Sequence, residues 1–289
     1  VDLLTWIVDP FTYGFMQRAF VVAVVSAAVC GVLSCWLVLI GWSLMGDAVS
    51  HAVLPGVVLA YVVGAPFAVG ALAFGLLAVA LIGAVRSGGR IKPDAAIGVV
   101  FTTLFALGLV LISVVPSQTD LGHILFGNVL GVSDGDVVQV LALGGAALAI
   151  VLLKRRDLVL YAFDPDHAGA IGLNPRRLGA LLLVLLAVTA VVALQTVGVV
   201  LVVALLIIPG ATARLLTDRF PMMLLLAPAL AVLSALTGLY TSYYVDTASG
   251  GMIVLAMGGL FTAAYLFSPT DGVAVRAVRR RRDVRATSG

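Results

Sequence analysis

Glutamate is absent from this chain: all 14 acidic residues are Asp. That absence removes the zinc-protease motif H-E-x-x-H. It also removes a di-metal bundle site built on Glu-x-x-His. No G-x-x-x-x-G-K-[ST] loop occurs, so the chain does not bind ATP through a P-loop of its own. Charge is scarce, at 11% of residues, where soluble domains run near ~25%. Cysteine is limited to Cys30 and Cys35, five apart in one apolar run and pointing to different helix faces. With no Cys-x-x-Cys, a thiolate metal site is not expected, and the pair reads as small apolar packing residues.

What fills the chain instead is hydrocarbon. Of its 289 residues 62% are hydrophobic, with a mean hydropathy of +1.18. The apolar runs are long enough for membrane helices and lack the period-two alternation of a barrel. The expected fold class is all-α: a polytopic integral membrane protein, with 1–289 as a single membrane domain and no separate soluble one. The start at Val1 shows no cleavable signal pattern.

About eight or nine spans are expected. They run roughly over 19–40, 44–63, 66–85, 95–115, 137–153, 179–217 as two helices with a tight turn near Gln195–Gly198, 222–244 and 250–268. Between Ser117 and Asp136 the chain is too polar to span cleanly, and a short re-entrant or surface helix is expected. Asp157 to Arg177 is the longest internal polar stretch; Pro165 opens a short helix over Asp166–Leu173, which Asn174-Pro175 ends. Such a helix suits docking into a groove on a partner. Gly127-x-x-x-Gly131 has the spacing of close helix packing.

Basic residues set the orientation. Arg86/Arg90/Lys92, Lys154/Arg155/Arg156 with Arg176/Arg177, Arg214/Arg219 and the tail from Arg276 to Arg285 fall on the cytoplasmic side. The stretches near 116–136 and 245–249 then face outside, as does the N-terminus, with only Arg18 against it. The tail, about 269–289, reads as a cytoplasmic topological signal with some attraction to anionic lipid rather than as a nucleic-acid site.

One run breaks the apolar rule. Ser43-Leu44-Met45-Gly46-Asp47-Ala48-Val49-Ser50-His51-Ala52-Val53-Leu54-Pro55-Gly56 places Asp47 and His51 four apart inside a span. On a helix, i and i+4 share a face. A carboxylate at the centre of a membrane helix costs ~2.5–3.5 kcal/mol or more, so such residues are functional by default. Carboxylate plus imidazole begins a divalent-metal shell; the plainer alternative is Asp47 as a helix cap with His51 bonded to a carbonyl. Pro55 leaves the His51 carbonyl without its usual donor and bends the helix there. Asp120 and His123 also stand at helical spacing, as a mouth site or a solvated surface pair, and His167 as a release site or an ordinary loop histidine. A serine–histidine nucleophile at Ser50/His51 is disfavoured, because adjacent residues project about 100° apart on a helix.

Four segments resemble the metal-transporting family of ABC permeases, the type that imports manganese, zinc or iron. They are Ser43–Gly56, Leu125–Val132, Ala162–Leu173 and Val197–Arg214, in family order over nearly the whole chain. The resemblance implies a type II importer-like permease in the cell (plasma) membrane, multi-pass, with a cytoplasmic C-terminus. It implies a homodimer, two separate ATP-binding cassette subunits and an extracytoplasmic metal-binding lipoprotein. The subunit itself would be no enzyme and hold no permanent cofactor, only the transported divalent metal. In the family an Asp-x-x-x-His pair from each protomer lines the pathway at the dimer axis, which maps onto Asp47 and His51. The coupling segment that meets the ATPase maps to about 157–178. The chain departs from the family at Gly41-Trp42, where relatives often carry two basic residues.

Two pairs from two protomers offer up to four side-chain ligands to one M²⁺. Oxygen and nitrogen donors without sulfur suit Mn²⁺, favoured here over Zn²⁺, with iron behind; Zn²⁺ binds the same donors more tightly. A proton-driven secondary carrier with Asp47 as relay is the alternative of a different class.

Overall fold

The computed structural model describes residues 9–87, 92–115 and 129–268. Among these residues there is no strand, and nine helical spans are long and apolar enough to cross a membrane. In chain order the helices are α1 (Gly14–Ile40), α2 (Ser43–Ala52), α3 (Leu54–Val63), α4 (Phe67–Ser87), α5 (Pro93–Val114), α6 (Asp134–Leu153), α7 (Arg155–Phe163), α8 (Pro165–Ala170), α9 (Pro175–Val197), α10 (Val199–Leu216), α11 (Phe220–Val245) and α12 (Ser249–Phe267). α2 and α3 together make one span.

α1 is apolar all round, and a helix of that kind belongs inside. Its side chains from Met16 to Leu37 are mostly buried, including Trp36, whose ring meets Phe220 edge-on at 5.1 Å. α10 and α11 pack against it, α12 covers those two, and α2 lies against α5, α9 and α10. Cys30 and Cys35 are free and buried in α1, and the Cys35 thiol reaches the Met223 carbonyl at 3.4 Å. They are packing residues, as expected.

Contacts at the helix ends give the alternation. Arg18 pairs with Asp134 at 3.1 Å, and the Tyr243 hydroxyl donates to Asp9 at 2.9 Å. The start of α1, the start of α6 and the end of α11 therefore share one end of the bundle. The Ser268 hydroxyl bonds the Leu215 carbonyl, and Trp36 meets Phe220. These bring the ends of α1, α10 and α12 and the start of α11 together at the other.

Several boundaries differ from expectation for identifiable reasons. The span over 44–63 is interrupted at Val53, which itself stays in the right-handed helical region (φ −75°, ψ −17°), with Pro55 in the first turn of α3. Proline is tolerated there because its missing N–H is one the first turn does not use. The break within 179–217 falls on Gly198 alone, at φ 81° and ψ 164°, a backbone region open essentially to glycine. Gln195 stays helical. The polar stretch from Asp157 already contains most of a helix, α7, and the following one ends at Ala170 rather than Leu173. Asp164 caps α8 by accepting from the His167 amide at 2.9 Å, and Asn174 caps α9 by accepting from the Arg177 amide at 3.1 Å. α6 starts earlier than expected, behind a reciprocal Ser133–Asp136 cap, and widens to a π-turn over Val140–Gly144. Residues 116–128, Gly127 with them, and the basic tail lie outside the described residues.

Candidate metal site

α2 begins immediately after a tight reversal. Gly41 closes α1 in the left-handed region (φ 80°), and the Trp42 amide bonds back to the Leu37 carbonyl at 2.7 Å. Glycine adopts that conformation without Cβ strain. Trp42 beside it is buried.

The ten residues of α2 sort cleanly. Met45, Gly46, Ala48, Val49, Ser50 and Ala52 are buried, while Ser43, Leu44, Asp47 and His51 stay partly exposed. Those four follow the spacing of one helix face. Gly46 lets Leu206 of α10 lie against the backbone, since a Cβ there would meet its side chain at 3.0 Å. The buried side is thus locked, and the open face carries the acid and the imidazole.

On that face His51 Nε2 lies 3.3 Å from Asp47 Oδ1, with the side chains 25% and 34% exposed. Asp47 is the fifth residue of α2, so it does not cap the helix. The imidazole is flanked by two rings of α5, Phe101 at 5.4 Å and Phe105, edge-on, at 5.1 Å. Its Nδ1 is buried with no protein partner. Beside it is a cavity of about 10 Å³ touching Ser50, Leu54, Phe105, Leu194 and Val199. That volume is at the threshold for one water. The Ser50 hydroxyl donates to the Gly46 carbonyl at 2.8 Å within its own helix, so it is not paired with His51 as a nucleophile would be.

Among the described residues no third His, Cys or Asp joins the pair in a metal-binding group. One protomer brings two ligands from one open face. His167 is exposed on α8, another element; Asp120 and His123 lie outside the described residues.

Toward the Arg18–Asp134 end lies a larger cavity of about 320 Å³, lined by Val57, Phe67, Asp136, Gln139, Leu194 and Gln195 among others. Gln139 donates to Gln195 across it at 2.8 Å. Leu194, almost fully buried, lines both this cavity and the small one beside His51. The sequence marked Gln195 only as a turn, and did not point to Gln139, the Phe101/Phe105 flank or Leu194. Only the glutamines left a signal, as lone amides inside apolar runs.

A helical bundle of membrane-spanning length, with an acid and an imidazole on the open face of one span, is the architecture of a polytopic membrane transport protein. Comparison with known proteins agrees. The pattern of the ABC 3 transport family matches residues 12–268. The chain is 50% identical over 276 residues to the manganese transport system membrane protein MntB of Synechocystis, covering 96% of this chain and 90% of that one. It is 46% identical to a probable iron transport system membrane protein of Haemophilus influenzae, covering 88% and 93%. The solved PsaBC of Streptococcus pneumoniae, in complex with Fab, superposes with a TM-score of 0.84 at 38% identity, covering 93% and 97%. The chain belongs to the ABC 3 transport family, as its transmembrane permease subunit.

Proposed function

We propose that the chain forms half of the transmembrane pathway of an ATP-driven importer for divalent transition metals, with Mn²⁺ the favoured cargo, Zn²⁺ next and iron behind. The observation that carries the reading is the Asp47–His51 pair, 3.3 Å apart on the one open face of α2. Two ligands are too few for a stable shell. A second copy, related by a twofold axis alongside α2 and α5, brings two more. A four-ligand site of carboxylate and imidazole neutralises the cation without thiolate, and suits an ion that must leave again. The similarity to manganese and iron transport system membrane proteins supports the cargo class.

The remaining parts follow from an importer. Two ATP-binding cassette subunits engage the basic end through α8, within the coupling segment of about 157–178. A lipoprotein delivers metal at the opposite end, where the 320 Å³ cavity opens a route toward the pair and Leu194 separates the two. The subunit performs no chemistry and holds no permanent cofactor. Nine spans among the described residues, with basic loops on the cytoplasmic side, support an outside N-terminus and a cytoplasmic C-terminal tail. Arg18, the one basic residue against this orientation, is neutralised by Asp134.

The test is metal-by-metal stimulation of ATP hydrolysis in the reconstituted complex with its binding protein. Mn²⁺ is expected to stimulate most. Uptake driven by a proton gradient without the ATPase would instead establish the secondary-carrier reading.

A further inference from the structure

At the basic end of the bundle, α7 and the first turns of α11 enclose a groove of about 460 Å³. Its walls are apolar: Val159 and Phe163 from α7, Phe220 and Leu224 from α11. Arg155 and Arg156 also line it. Both arginines are exposed, and neither makes an ion pair or side-chain hydrogen bond among the described residues. The carboxylate beside them, Asp157, is taken by Lys154 at 3.3 Å. Phe163 leaves 63% of its surface uncovered. Two unpaired guanidiniums next to an open apolar groove make a surface with a specific complement: an anionic head joined to hydrocarbon.

We propose that this groove binds an anionic phospholipid, with its phosphate on Arg155 and Arg156 and an acyl chain along Val159, Phe163 and Leu224. The depth of the groove favours lipid over a protein partner. Leu224 lies four residues beyond Phe220 inside a membrane span, so the groove reaches ~6 Å along the helix at 1.5 Å per residue. A soluble subunit meets the bundle at the membrane surface; an acyl chain already lies at that depth. The start of α11 has no side-chain cap, and the positive end of its dipole adds favourable potential for the phosphate. Basic pockets between membrane helices suit such headgroups. An occupied groove ties α7, which leads directly into α8, to the start of α11. The inference needs only that this end lies at a membrane surface, and it stands apart from the identity of the transported ion.

The experiment uses the full transporter complex equilibrated with equal amounts of phosphatidylglycerol and phosphatidylcholine, followed by native mass spectrometry of the retained lipid. The intact complex is expected to retain phosphatidylglycerol in preference. R155Q/R156Q is expected to lose that preference by about thirtyfold, from ~1 kcal/mol for each arginine near an anionic lipid. V159W, which fills the groove and leaves the charges, is expected to release the retained lipid as well. Neutralising Arg279 to Arg282 in the tail is expected to leave it in place. Equal retention of both lipids by the intact complex overturns the proposal. So does unchanged phosphatidylglycerol retention in R155Q/R156Q, and if that variant also sheds the ATPase, the surface belongs to the ATPase. Metal-stimulated hydrolysis is a separate measurement, so failure here and failure of the transport reading are distinguishable.

Discussion

Replacing Asp47 by asparagine keeps the shape of the side chain and removes its charge. In the protomer that charge has one partner, His51 Nε2 at 3.3 Å, and about a third of the side chain is open. A carboxylate at the centre of a membrane helix costs ~2.5–3.5 kcal/mol; Asp47 stands in the second turn of its span with about a third of its side chain open, so it bears less than that. The amide avoids that cost and gives up only the contact with His51, worth ~0–1 kcal/mol for a partly exposed pair. Folding stability of Asp47→Asn is therefore expected to be unchanged or higher by ~1 kcal/mol. Transport is expected to move the other way. A residue that merely supports a metal ligand is worth 10–100-fold in affinity or activity. Loss of a direct ligand from both protomers should therefore cut uptake by at least about a hundredfold. The assay is uptake of radiolabelled Mn²⁺ into proteoliposomes holding the complete complex, alongside thermal denaturation of the purified variant. Uptake equal to the unaltered protein would refute the reasoning. Loss of uptake accompanied by loss of the folded protein would refute the claim that the carboxylate serves the ion rather than the scaffold.

Ser50→Ala should transport normally and lose no more than ~1 kcal/mol, because its hydroxyl serves only the Gly46 carbonyl; the same uptake assay checks it. Gly198→Ala should destabilise the α9–α10 junction by ~1–3 kcal/mol, since φ 81°, ψ 164° is a conformation for glycine, seen as a lower midpoint in thermal denaturation. Gly70→Ala should prevent a properly packed fold, because a Cβ there would fall on the Gly56 carbonyl of α3; the expected result is aggregated rather than monodisperse protein after extraction. Gln195→Leu should cost ~1–3 kcal/mol by leaving the Gln139 amide without its partner, and Gln139→Leu added to it should restore much of that, a coupling that a double-mutant cycle measures.

Legibility in the sequence followed the range of the interaction. The Asp47–His51 pair was readable because four residues on a helix is a local relation. The short helix opening at Pro165 was readable for the same reason; that Asp164 caps it and Asn174 caps α9 came from the structure. Val53 as the break in the second span was not: Pro55 marked the place, but a bend and two separate helices share that mark. α7 was hidden because its basic start reads as loop, and only its packing onto α9 and α1 gives the helix a reason.

The sequence alone determined that this is a helical membrane protein, roughly where its spans begin and end, and which acid and imidazole stand together. Each of those is a matter of local composition or spacing. Tertiary structure alone decided which face of α2 stays open, that Phe101 and Phe105 flank His51, that Arg18 finds Asp134 and that Gln139 finds Gln195. The physical reason lies in the solvent. In lipid the packed face and the outer face of a helix are both apolar, so the pattern that separates core from surface in water is missing. Only the arrangement of the other helices tells the two apart.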